Sequence, residues 1–254
     1  TFNLDPRAAQ AQIGPRTRAI IAVDLYGHCA DYAALEAVAR RHGLALIADA
    51  AQSFGASVAG RRAGAFGDIA ATSFYPAKPL GTYGDGGALF TDDAHLAEAA
   101  RQLRTHGVDA DGRHARIGLT ARLDTLKAAV LLAKLEIFDD ELERRAAAAH
   151  RYDALLGGHV ITPALRPGHR SAWAQYTIRS ARRAALRDAL QAAGIPTRIY
   201  YPVPLHRQPA HLQPRCSLPE AERAAAEVLS LPMHPYLEAQ DQERLAQVLI
   251  EATR

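Results

Sequence analysis

The sequence predicts an α/β protein: a larger domain on a mostly parallel sheet, followed by a small α+β domain. Three features of the 254 residues point there. Short apolar runs alternate with helical periodicity across the first ninety residues. A long Ala- and Leu-rich helical stretch follows. After Pro163 the texture changes to short strands and amphipathic helices, which sets the expected domains at 1–160 and 161–254, with the boundary between Gly157 and Gly168.

Each element follows from its residues. Ala19–Leu25 (AIIAVDL) is a short apolar run of the kind buried in parallel sheets. Ala30–His42 places Ala34, Leu35, Val38 and Ala39 on one helical face, with Gly43 as a natural terminator. Leu44–Ala48 is the next strand and Asp49 follows it. Strand, helix and strand within about thirty residues make a βαβ unit. Ile69–Phe74 and Ala88–Thr91 read as two further strands, joined by the Pro- and Gly-rich stretch Tyr75–Gly87; His95–Thr105 reads as a helix. Arg122–Leu156 is a long helical pattern, with a break expected near Asp139–Asp140. In the second domain, strands are expected at Trp173–Arg179 and Thr197–Val203. Helices are expected at Arg182–Ala193, Glu220–Leu229 and Gln240–Ala252.

Composition narrows the function. Apolar residues make up 48% and charged residues 22%, as in an ordinary globular protein. A net charge of +3 suits an anionic ligand but is too small and scattered for nucleic acid. Cys29 and Cys216 provide neither a disulfide framework nor zinc spacing, so no metal is expected and a reducing, cytoplasmic setting is. No apolar run is long enough for a membrane span, and Thr1–Gln12 has no signal-peptide pattern. The start lacks Met and a strand-like run arrives almost at once, so further sequence is expected upstream. Of 30 basic residues only Lys78, Lys127 and Lys134 are lysine; the other 27 are arginine.

Asp49 sits just past a strand, where open α/β sheets bind ligands and where a carboxylate can pair with a cationic ring nitrogen. It also fits a helix cap, with Gln52 three residues on. Lys78 lies between Pro76 and Pro79 in an apolar turn after a strand. An arginine stays charged, whereas a lysine in an apolar pocket can lose its proton and attack a carbonyl. Lys127 and Lys134, seven residues apart on the long helix, read as a solvated stripe. Gly84-Asp85-Gly86-Gly87 alone is a hairpin signal. His206 and His234 have no evident partner and read as structural. Together, an Asp after one strand, Ser73 and Lys78 after the next, and a Gly-rich return suit pyridoxal phosphate.

Three longer stretches carry a resemblance. Ile47–Ala56 (IADAAQSFGA), Thr72–Gly81 (TSFYPAKPLG) and Gly84–Ala88 (GDGGA) resemble the DegT/StrS family of nucleotide-sugar aminotransferases. Val23–Gly27, Arg122–Leu126, Tyr201–Leu205 and Leu231–Pro235 extend the likeness over essentially the whole chain. Leu25–Asp31, Tyr83–Gly87 and Leu123–Leu126 favour the branch that aminates UDP-2-acetamido-2-deoxy-3-oxo-glucuronate for bacterial surface polysaccharide.

The resemblance implies a fold-type-I pyridoxal-phosphate transferase that takes an amino group from L-glutamate and gives it to a UDP-linked 3-keto sugar acid. It implies Lys78 as Schiff-base lysine and proton carrier, Asp49 on the pyridine nitrogen, Gln52 beside the ring or its phenolic oxygen, and Ser73 on the phosphate. Arg122 would grip the sugar carboxylate and Tyr201 the sugar. Thr120 stands where the family has an Asn that reaches the phosphate across a homodimer interface, and Tyr200 where a His is common. The family's further N-terminal segment, with a Gly-Thr helix start for the phosphate, has no counterpart before Thr1. Two alternatives stand beside this reading. One is amination of another nucleotide keto-sugar; the other is a truncated remnant that folds and dimerises without turnover.

Overall fold

The structure, a computed structural model, describes residues 1–211 and 216–253. The chain divides into two compact units. The larger holds residues 3–140 and 166–172; the smaller holds 141–165, 173–254 and the first two residues. One long helix, residues 138–156, runs through the division at Asp140/Glu141, and the segment Arg166–Ala172 belongs to the larger unit.

The larger unit begins with α1 (Pro6–Ala11), β1 (Ala19–Val23), α2 (Tyr32–His42) and β2 (Ala45–Asp49). Short strands β3 (Ser57–Val58) and β4 (Arg61–Arg62) precede β5 (Ile69–Ser73) and β6 (Gly87–Phe90). Helices α3 (Ala94–Arg104) and α4 (Thr125–Leu135) follow, then the start of α5 (Phe138–Leu156), and β7 (His169–Arg170) pairs with β3. The main sheet has the order β1-β2-β5-β6. β1, β2 and β5 are parallel and β6 is antiparallel to β5. Ala22, Ala48 and Ala70 have no exposure, so small side chains let α2 pack through its buried Leu35, Val38 and Ala39. Phe54 lies 5.6–6.2 Å, centroid to centroid, from the rings of Phe74, Phe90 and Phe138, forming an aromatic cluster.

The smaller unit contains the rest of α5, β8 (Tyr176–Arg179), α6 (Arg183–Ala192), α7 (Pro219–Glu227), β9 (Val228–Leu231) and α8 (Ala239–Thr253). β8 and β9 pair antiparallel over a core of Tyr152, Leu156, Tyr176, Ile178, Leu186, Leu190, Leu245 and Leu249. Two expectations fail here. Thr197–Val203 is not a strand: it makes only an isolated bridge from Arg198 to Ser230, since Pro202 lacks the amide donor a ladder needs and Pro196 and Pro204 bound the segment on either side. The helix expected to Leu229 ends at Glu227, and Val228–Leu231 turns into a strand buried on both faces. Such a run reads equally as buried helix or buried strand. The helical break falls at Glu136–Ile137 rather than Asp139–Asp140. Among the described residues no helix is long and apolar enough to cross a membrane.

Candidate active site

Because β1, β2 and β5 run parallel and in register (Val23 beside Asp49, Asp49 beside Ala71), their carboxyl ends open on one edge. Asp24, Asp49 and Ser73 stand at those ends. Asp49 closes β2, and its Oδ1 accepts from the amide of Ala51 at 3.1 Å. No helix follows, so Asp49 caps a turn and the Asp49–Gln52 helix cap does not form. Gln52 is buried, and its Oε1 accepts instead from the Tyr26 amide at 2.5 Å. Tyr26 is in left-handed backbone, with φ +61°. That conformation turns the chain sharply after β1, and Gln52 satisfies the amide it exposes.

Ser73 ends β5, and its Oγ accepts from the Tyr75 amide at 3.2 Å. The loop it opens is tightly tied: Lys78 amide to Tyr75 carbonyl at 2.9 Å, Thr82 amide to Phe74 carbonyl at 2.8 Å, Phe74 amide to Gly86 carbonyl at 2.8 Å. A Cβ at Gly81 would stand 2.6 Å from the Pro76 carbonyl oxygen, and one at Gly87 2.6 Å from that of Thr72. Only glycine admits this approach. Lys78 projects from the loop half-buried. Among the described residues its amine makes no hydrogen bond or ion pair, and desolvation lowers its pKa while the nearby Asp49 carboxylate pulls the other way. The structure therefore brings Asp49 and Lys78 into one electrostatic neighbourhood, with Ser73 five residues before the lysine.

Two features escaped sequence reasoning. Asp24 has no exposure, and its carboxylate accepts from the Ala30 amide at 2.8 Å, Tyr32 Oη at 2.8 Å and Ser53 Oγ at 2.6 Å. Its own amide donates to the Asp49 carbonyl at 3.0 Å. Burial raises its pKa above the ordinary carboxylate value. Its strand-end position in the Val23–Gly27 motif was the available signal. Lys127 and Lys134, second, are not a solvated stripe: both turn inward and bond carbonyls of the Lys78 loop.

Thr120 and Arg122 belong to the larger unit. Thr120 is exposed and bonds His106 Nδ1 at 3.3 Å. Arg122 is exposed and, among the described residues, makes no hydrogen bond or ion pair. Tyr200 and Tyr201 belong to the smaller unit, with Tyr201 exposed and the two rings 5.7 Å apart, edge to face. His206, read as structural, is buried and bonds Glu222 at 2.8 Å.

A strand-end carboxylate, a desolvated primary amine, a serine hydroxyl and a glycine-lined loop form a donor set that fits pyridoxal phosphate. Comparison with known proteins agrees. The chain is 51% identical over 239 residues to the UDP-2-acetamido-2-deoxy-3-oxo-D-glucuronate aminotransferase of Pseudomonas aeruginosa, covering 94% of this chain and 67% of that one. It is 46% identical to a Streptomyces venezuelae dTDP-3-amino-3,4,6-trideoxy-alpha-D-glucose transaminase, covering 93% of this chain and 63% of that protein. A crystal structure of a DegT/DnrJ/EryC1/StrS aminotransferase from Brucella abortus superposes with a TM-score of 0.93 at 47% identity, over 98% of this chain and 69% of that one. The chain thus spans about two thirds of the length of the relatives it matches. The family pattern of the DegT/DnrJ/EryC1/StrS aminotransferases, which are pyridoxal-phosphate enzymes of fold type I, matches residues 1–250, and this chain belongs to that family.

Proposed function

We propose that the protein containing this chain transfers an amino group from L-glutamate to UDP-2-acetamido-2-deoxy-3-oxo-glucuronate, or to a close nucleotide 3-keto sugar. The observation that carries this reading is Lys78: a desolvated amine in a proline-flanked turn, with Asp49 as its charged neighbour. When bound, pyridoxal phosphate supplies the electron sink and the amino carrier.

The chain's own residues then have distinct tasks. Asp49 keeps the ring nitrogen protonated, because a carboxylate at close range favours the cationic form. Lys78 holds the cofactor through Nζ. Lowered basicity leaves more of that amine neutral near pH 7, so Nζ can take the Cα proton of the amino donor and return it. Ser73 Oγ hydrogen-bonds the phosphate, and Gln52 fixes the floor beside the ring through its bond to Tyr26. Arg122 recognises the sugar carboxylate by a bidentate pair, and Tyr200 and Tyr201 contact the sugar. The Thr120–Arg122 segment is exposed and serves the site of a second copy in a homodimer, with Thr120 at the phosphate. Two free cysteines suit a cytoplasmic enzyme supplying sugars for surface polysaccharide such as O-antigen.

Borohydride added with pyridoxal phosphate is expected to fix the cofactor covalently on Lys78, located by peptide mass mapping. Lys78→Ala should abolish both fixation and amination. Fixation elsewhere, or turnover by the Lys78→Ala variant, would refute the assignment. Rates with UDP- and dTDP-linked 3-keto sugars separate the two substrate readings, the second supported by the 46% identical dTDP-sugar relative.

A further inference from the structure

All three lysines of a chain that otherwise uses arginine meet at one loop. Lys78 stands in it. Lys127 Nζ donates to the Asp85 carbonyl at 2.9 Å and pairs with Asp124 at 2.9 Å. Lys134 Nζ donates to the Gly81 carbonyl at 2.7 Å. Thr82 Oγ1 returns a bond to the Lys127 carbonyl at 3.1 Å, and Leu123 Cδ1 lies 3.0 Å from where a Cβ of Gly86 would be.

These contacts come from the inward face of α4. Lys127, Leu131 and Lys134 follow at i, i+4 and i+7, and none is exposed, while Leu126 and Leu132 face outward. An inward ammonium is costly unless its protons are bonded, and each of the two gives one to a backbone carbonyl. A compact ammonium on a thin stem fits beside Gly81, where backbone already crowds in; a planar guanidinium needs more room.

We propose that Lys127 and Lys134 are positioning residues that hold the Gly81–Gly87 strap by its carbonyls and so fix the turn from which Lys78 projects. The strap closes that turn directly, through Thr82 to Phe74 and through the packing of Gly81 on the carbonyls of Tyr75 and Pro76. The proposal rests on the assignment of Lys78 as the reacting amine. Freeing the strap lowers the fraction of molecules with that amine aligned, which acts on kcat rather than on substrate affinity.

Two measurements on the whole chain test it. Deuterium uptake by the peptide spanning residues 75–88 reads the clamp without any cofactor, with the β1 and β2 peptides as an internal reference for folding. Lys134→Met should speed exchange in the 75–88 peptide roughly tenfold, the loss expected for one charge-assisted hydrogen bond, and leave the reference unchanged. It should lower kcat about tenfold with KM for both substrates nearly constant. Lys127→Met, whose side chain is 27% exposed, should act in the same direction more weakly and stands in should Lys134→Met not fold. Unchanged exchange in the loop overturns the proposal, as does faster exchange with kcat unaltered. Failure of borohydride to fix the cofactor on Lys78 in the unaltered chain overturns the Lys78 assignment instead, and the exchange data still decide whether the clamp exists.

Discussion

Asp24 shows how much a single buried carboxylate can organise. Its three donors come from residues 6, 8 and 29 positions away, so it ties the turn after β1, the start of α2 and the segment after β2 into one knot beneath Asp49. Asp24→Ala leaves the Ala30 amide, Tyr32 hydroxyl and Ser53 hydroxyl without that acceptor inside the protein. The expected loss is about 3 kcal/mol, read as a lower urea midpoint. Asp24→Asn should lose less, since one amide oxygen still accepts; equal stability of Asp24→Ala and the parent would contradict the account. The contrast with Asp49 and Lys78 is physical. Those two stand out as candidates because their signals are local: an aspartate closing an apolar run, and a lysine between two prolines in an arginine-rich chain. Asp24 draws its meaning from partners that only the fold assembles.

Among the elements, the same distinction separates what was read from what was missed. The parallel strands and α2 were evident because an apolar run of five residues and a 3.6-residue period are properties of adjacent residues. β9 was not, because Val228–Leu231 continues the apolar pattern of α7, and its pairing with β8 decides the outcome. The inward turn of Lys127 and Lys134 was hidden too: their seven-residue spacing fixes a shared face but not which way that face points. In the smaller unit, α7 anchors the segment that follows Tyr201. Glu222 bonds His206 at 2.8 Å and accepts from Leu218's amide at 3.3 Å and Arg207 at 3.2 Å, and these partners, His206 foremost, hold its pKa down to about 2, against an ordinary 4.5. A depressed carboxylate stabilises the fold above its unfolded value and loses that contribution as pH falls through its folded value. Glu222→Gln should therefore melt below the parent at neutral pH, and the gap should close as pH falls from 4.5 towards 2. A gap that stays constant over that window would mean that the charge of Glu222 contributes nothing.

For the whole molecule, the distribution of apolar surface bears on assembly. Ile117 is 98% exposed, Leu126 83%, Leu119 67% and Leu132 66%, all within the larger unit. Isolated exposed leucines are ordinary, but here α4 turns Lys127 and Lys134 inward beside Leu131 and leaves Leu126 and Leu132 outward, an apolar outer face unlike that of a helix meant to face water. The 117–119 stretch leads directly into Thr120 and Arg122, the residues assigned to a neighbouring copy's site. Covering each such leucine or isoleucine gains about 1.5–3 kcal/mol, so a few of them suffice to hold a stable homodimer. A charge placed there must instead be desolvated on association. For the proposed homodimer, Leu132→Glu is thus expected to shift the chain from dimer to monomer in sedimentation equilibrium, while its far-ultraviolet circular dichroism stays that of the parent. Because neither Thr120 nor Arg122 would then have a partner site to enter, the monomer should bind the cofactor more weakly, still have it fixed on Lys78 by borohydride when the cofactor is in excess, and lose amination of the acidic sugar. A Leu132→Glu variant that remains dimeric would show that Leu132 lies outside the interface, and a monomer that aminates the sugar at the parental rate would show that Arg122 acts within its own copy or not at all.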